Sequence, residues 1–116
     1  MTGDRPLRDL LPLPHLDFEI LLCLSGGDLH GYAMGKEIRE RTGGLLDPGM
    51  SSLYLAIRRL TRHGLVEDAG ERESEDGRPA RRYYRITPRG RELAALEAQR
   101  IRTQATTARR ILRGTG

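Results

Sequence analysis

This chain is poor in aromatic residues and in sulfur. It has no tryptophan, one phenylalanine, four tyrosines and one cysteine in 116 residues. Any core it forms must therefore be aliphatic. The single cysteine, Cys23, rules out an intramolecular disulfide and fits a reducing compartment. It lies in the apolar run FEILLCLSG and reads as a small buried hydrophobe rather than a nucleophile. Three scattered histidines, His15, His30 and His63, have neither a second cysteine nor a His-x3-His spacing, so no metal site and no cofactor is expected. No Gly-rich phosphate loop, carboxylate pair with a base, or nucleophile beside a histidine can be assembled, and GGLLDPG is loop chemistry; an enzyme is not expected. The longest apolar run is far too short to span a bilayer. The first fourteen residues, broken by proline and charge, do not resemble a signal peptide. A soluble cytoplasmic protein without a membrane partner is expected.

Lysine is nearly absent as well. Of 20 basic residues only Lys36 is lysine, in a chain of net charge +4 and pI about 9.8. Arginine suits forked contacts to phosphate and base edges. A GC-rich genome also raises arginine content, but it does not decide where arginines gather. RPARRYYRITPRGR, residues 78–91, holds six of them and no acid. Charge at that density belongs on a surface with a partner.

Length allows about one small domain and one appended element. Residues 1–14 read as an arm in which Pro6, Pro12 and Pro14 allow at most one helical turn. A first helix, apolar nearly all round, is predicted from His15 to Ser25 and stopped by Gly26-Gly27. GYAMGKEIRERTGG predicts a second, which Gly35 weakens. A third runs from Pro48 to Gly64 behind Asp47 as N-cap. At about 100° per residue its Met50, Leu53, Ala56, Ile57 and Leu60 share one face. Ser51, Leu55, Arg58 and Arg62 share the opposite one, flanked by Tyr54 and Arg59. LVEDAGER and RRYYRIT read as two strands of a hairpin turning at Asp76-Gly77. Arg82, Tyr84 and Ile86 fall on one face of the second strand, Arg81, Tyr83 and Arg85 on the other. The first leg is acidic (Glu67, Asp68, Glu71, Glu73, Glu75, Asp76), and is expected to stay off phosphate or to pair with neighbouring arginines. Pro88 opens a final helix of about twenty-five residues.

The fold class predicted is mainly α with a small β-hairpin, a winged helix-turn-helix followed by one long helix. In that order of elements the third helix enters a DNA major groove. Double-stranded DNA is thus the expected partner. A winged-helix protein-interaction module is the alternative; it has no need of arginine on both the third helix and the wing.

Three blocks, LHGYAMGKEIRERTGG, GMSSLYLAIRRLTRHGLVE and GRPARRYYRITPRGRE, resemble those of PadR-like transcriptional regulators, in the same order and at similar separations over about residues 15–92. The chain resembles the subfamily with a short C-terminal helix. The resemblance implies an N-terminal arm (1–14), a DNA-binding domain (15–87) and a dimerisation helix with a short tail (88–116). It further implies a homodimer that binds an inverted-repeat operator, most simply as a repressor. By the same resemblance Ser51, Ser52 and Tyr54 match the DNA-facing start of the third helix, with Arg58 one turn on. Tyr32 and Lys36 match the supporting helix, and Gly77 to Arg82 match the wing, so that Arg78, Arg81 and Arg82 are expected on phosphates or the minor groove. Arg62 extends the exposed stripe. Leu55 stands where the family commonly has proline, either reaching a thymine methyl or packing on Tyr54. Gly35 stands where a larger aliphatic is usual. Tyr84 and Ile86 are expected to anchor the wing, with Tyr83 against the third helix. Leu93, Ile101, Ala105, Ala108 and Leu112 would form the dimer seam. That seam is weak, so Leu7, Leu10 and Leu11 of the arm are expected to supplement it. Some relatives respond to small, often aromatic molecules between subunits, which leaves a small-molecule effector open. Residues 88–116 hold no aromatic side chain, so a stacking platform for a flat ligand is not expected there.

Overall fold

The computed structural model describes residues 6–73 and 77–114. The turn expected at Asp76, the acids Glu75 and Asp76, and the last two residues lie outside the described residues.

The arm makes a single 3-10 turn, Leu7–Leu10, between Pro6 and Pro12. Helix α1 spans His15–Ser25, α2 Gly31–Arg41, α3 Met50–Arg62 and α4 Pro88–Gly114. Between them run strands β1, Leu29–His30, β2, Val66–Arg72, and β3, Arg81–Ile86. The core is aliphatic. Ile20, Leu21 and Leu24 of α1 meet Met34 and Ile38 of α2, Leu53, Ile57 and Leu60 of α3, and Leu65, Val66 and Ile86 at the base of the sheet. Helix α1 is central, touching the other three helices and β3, which explains why it is apolar nearly all round.

Helix α3 starts two residues later than the sequence predicts. Its N-cap is Gly49, and Asp47 instead lies 3.6 Å from Arg39 of α2. Met50, expected in the buried stripe, is 45% exposed, at the edge of the core beside the start of α2. At its other end Gly64 and Leu65 turn back: Gly64 N–H donates to Thr61 O and Leu65 N–H to Leu60 O. This closure buries Leu65 on Leu60 and sets the path of β2.

The sheet has three strands, not two. β3 is central, in the order β1-β3-β2, all antiparallel, with Leu29 opposite Tyr84 and His30 opposite Tyr83. A two-residue strand has no period to read, so only tertiary pairing reveals it. Thr87 caps α4, its Oγ1 accepting from Gly90 N–H at 3.0 Å, and Pro88 takes the first helical position, where no donor is needed.

Helix α4 leads two lives. Leu93, Ala94 and Glu97 are buried in the domain, whereas no described residue beyond Glu97 is. The radius of gyration, 16.2 Å, exceeds the roughly 13 Å of a compact chain of this length. The projecting half of α4 accounts for the excess. Among the described residues no helix is long and apolar enough to cross a membrane.

Candidate nucleic-acid interface

The exposed face of α3 carries Ser51, Ser52, Leu55, Arg58 and Arg62, all open to solvent. Lys36 of α2 is exposed as well. Arg58, Arg62 and Lys36 have no carboxylate partner among the described residues. Leu55 is 55% exposed, with its apolar tip directed outward. Arg59, next in sequence to Arg58, does something different. It forks onto Asp17 of α1 at 2.7 and 3.3 Å, and that carboxylate is almost fully buried. One arginine of the pair is free for a ligand; its neighbour fastens the helix to the core.

Tyr54 occupies the junction of α3, α2 and the wing. A Cβ built on Gly31, the first residue of α2, would lie 2.7 Å from the Tyr54 hydroxyl, so only glycine admits the ring there. The ring also stands edge-on to Tyr84 with centroids 6.4 Å apart. Tyr84 and Ile86 anchor the wing as the alternation of β3 predicts. Tyr83 does not stand against α3. It faces His30 of β1 edge-on at 5.3 Å and takes the Arg72 guanidinium over its ring at 4.5 Å. His30 comes from the extra strand β1 and Arg72 from β2, both on the side of β3 away from Tyr84.

Between α2 and the wing lies a cleft of about 280 Å³ whose walls include Tyr32, Lys36, Arg78 and Arg81. The fold thus brings together residues 32, 36, 78 and 81, which the sequence keeps more than forty positions apart at the extremes. Arg81 lies over the Tyr32 ring at 5.2 Å, and its Nη1 is 3.4 Å from His30 Nδ1. The same Nδ1 accepts from Ala33 N–H at 3.1 Å and so caps α2. Burial, and then the charge of Arg81, push the His30 pKa down, which keeps the imidazole neutral and able to accept.

Not every wing arginine is equally available. Arg82 is exposed but forked by Asp68 at 2.6 Å and Glu71 at 3.2 Å. Arg72 and Arg85 both reach Asp28, in the loop before β1, at 2.7 and 2.8 Å. Arg85 first and Arg72 second hold the Asp28 carboxyl below its usual range. Asp28 has no signal in the sequence, since only the three-stranded sheet brings residues 28, 72 and 85 together.

The residues expected at a dimer seam divide. Leu93 is fully buried in its own chain, because the first turns of α4 complete the core; it is not available to a partner. Leu7, Leu10 and Leu11 already pack, half-buried, on the core of their own chain. Ile101, Ala108 and Leu112 are exposed, Ala105 is half-buried, and Ile111, which the spacing did not single out, is 55% exposed. Glu97, 1% exposed, accepts from Leu13 N–H at 2.8 Å and is bridged by Arg100, tying the arm to the base of the projecting helix.

Comparison with known proteins agrees with this geometry. Residues 20–96 match the transcriptional regulator PadR-like family. An uncharacterized 37.1 kDa protein in transposon TN4556 of Streptomyces fradiae is 42% identical over 79 residues, 68% of this chain; the chain spans about a fifth of that relative's length. A PadR family transcription regulator from hypervirulent Clostridium difficile superposes with a TM-score of 0.74 at 25% identity, over 85% of this chain and 99% of that one. Bacillus subtilis PadR in complex with operator DNA shares the fold, with a TM-score of 0.61 at 23% identity over 72% of this chain and 46% of the other. The family is one of transcription regulators, not of enzymes. A winged-helix fold, together with a family match over about two-thirds of its length, places this chain in the PadR-like family of transcriptional regulators.

Proposed function

We propose that this chain is a sequence-specific DNA-binding regulator that acts as a homodimer, most simply a repressor that occludes its operator. The observation that carries the reading is the pattern of pairing. Arg59, Arg72, Arg82 and Arg85 are held by internal carboxylates, while Lys36, Arg58 and Arg62 keep their charge beside Ser51, Ser52 and Tyr54 on one surface. Helix α3 would read base edges in the major groove, with Arg58 forking onto guanine. Tyr32, Lys36, Arg78 and Arg81 would line the adjoining backbone.

In this reading residues 15–87, with the first turns of α4, are the DNA-binding unit, and the rest of α4 is the dimer element. Support comes from the projecting half-helix, whose Ile101 and Ile111 are exposed apolar side chains past the end of the core. Leu22, exposed on α1, is a candidate for the surface the partner's helix covers. Two-fold symmetry then demands an inverted repeat, with half-sites about 10 bp apart or a multiple of that. Selection of bound fragments from random duplex, followed by footprinting, tests this. Recovery of an inverted repeat at that spacing is expected. Failure to bind any duplex at low salt would favour a protein-interaction module instead.

A further inference from the structure

The wing contains a device that its two-strand pattern does not announce. Along β2, Asp68 pairs with Tyr84 and Gly70 with Tyr83, so two steps on β2 match one on β3. This is a β-bulge, and Gly70 sits at its centre with φ +89°, the left-handed region that suits glycine. In a regular strand Asp68 and Glu71, three residues apart, would point to opposite faces. The bulge turns both to the face of Arg82. Asp68 Oδ1 accepts from Gly70 N–H at 2.7 Å, while its Oδ2 accepts from Arg82 Nη1 at 2.6 Å. Glu71, directly opposite Arg82, takes Nη2 at 3.2 Å. Two carboxylates thus fork one guanidinium on the face of the wing that also carries Tyr84, beside Tyr54 of α3. The Gly70 N–H and the Arg82 guanidinium hold the Asp68 carboxyl below its usual range.

Such a clamp adds little to folding, because all three side chains are about half exposed. Its effect on binding is larger. Non-specific affinity for duplex comes almost wholly from cations that replace counterions on phosphate. A guanidinium already paired adds no counterion release unless its carboxylates are left behind. On a site where α3 makes base contacts, those contacts can offset the cost of opening the clamp; on random DNA nothing does.

Resting on the DNA-binding reading above, we propose that Asp68 and Glu71 are specificity-determining residues, which withhold Arg82 from phosphate until α3 is seated on its site.

The test is a salt titration of binding by the full-length protein to a random 30-bp duplex and to the selected site. Asp68→Asn with Glu71→Gln keeps an oxygen for the Gly70 N–H and removes both charges. The slope of log affinity against log salt on random duplex should steepen by about 0.9, one phosphate contact, and affinity should rise roughly tenfold at 0.1 M salt. The gain on the selected site should be clearly smaller. Glu67→Gln with Glu73→Gln, the same charge change on the same leg, should leave the slope unchanged. Placed in an Arg82→Ala background, the Asp68/Glu71 pair of substitutions should give no gain in slope. An equal gain with and without Arg82 would mean a general field effect and overturn the clamp. So would an equal gain on both duplexes, or none on either. If the parent protein binds neither duplex, the DNA-binding reading fails and this inference fails with it.

Discussion

Arg58 and Arg59 are adjacent on α3, yet the structure gives them opposite tasks, and truncating each in turn separates reading from folding. Arg59→Ala leaves Asp17, whose side chain is 5% exposed, without its forked partner. Breaking a buried ion pair costs about 3–5 kcal/mol. Arg59 itself is 44% exposed, so water can enter behind it, and the cost is discounted to about 2–3 kcal/mol. At about 2.1 cal/mol/K per residue the unfolding entropy of a chain this long is about 0.24 kcal/mol/K, so Tm should fall by about 8–12 °C. Arg58→Ala removes an exposed side chain with no ion-pair partner among the described residues and should stay within about 0.5 kcal/mol of the parent. On the selected DNA site the order reverses. Arg58→Ala should lose about 1–3 kcal/mol, with little loss on random duplex. Arg59→Ala, assayed well below its Tm, should bind nearly as the parent does. Thermal unfolding at one protein concentration and fluorescence anisotropy on labelled duplex supply both readings. If Arg59→Ala kept its Tm and lost DNA affinity as Arg58→Ala does, the division of roles between the two would be refuted.

Gly31→Ala should push the Tyr54 ring outward, because the new Cβ would fall 2.7 Å from its hydroxyl; affinity for the selected site should drop by about 1–3 kcal/mol, as for a lost base contact, while the urea midpoint moves little. His30 ties stability to pH: its folded pKa is depressed, so the unfolded chain takes up a proton first, and stability should decline as pH falls below about 6.5. Urea titrations at pH 7.5 and 5.5 should show that decline, and His30→Ala should remove the part of it due to this group. Ile101→Asp with Leu112→Asp should halve the mass seen by light scattering at micromolar concentration and leave the fold intact. Leu93→Ala should instead cost about 2–5 kcal/mol of stability, as a core deletion does, with no change in mass when folded; the opposite pattern would place Leu93 at the seam.

The sequence by itself settled what local periodicity can settle. Four helices, the two long strands, the exposed stripe on α3 and the basic leg of the wing were legible, because spacings near 3.6 and 2 place residues on faces without knowledge of any partner. The absence of tryptophan already required an aliphatic core. Tertiary structure decided which charges are spoken for. Nothing near Arg59 in sequence names Asp17, and nothing near Arg85 names Asp28; such pairs form only when helices and strands dock. The start of α3 moved because Asp47, a suitable cap by type, is drawn instead toward Arg39. Strand β1 was too short to show a period, so its His30 could not be named as the neighbour of Tyr83. The bulge at Gly70 changed the face of Asp68 by a one-residue slip, a shift to which side-chain alternation is acutely sensitive. Leu93 and Ile101 look alike along the helix, but one faces the core and the other lies past its edge, a distinction that depends on where the domain ends in space.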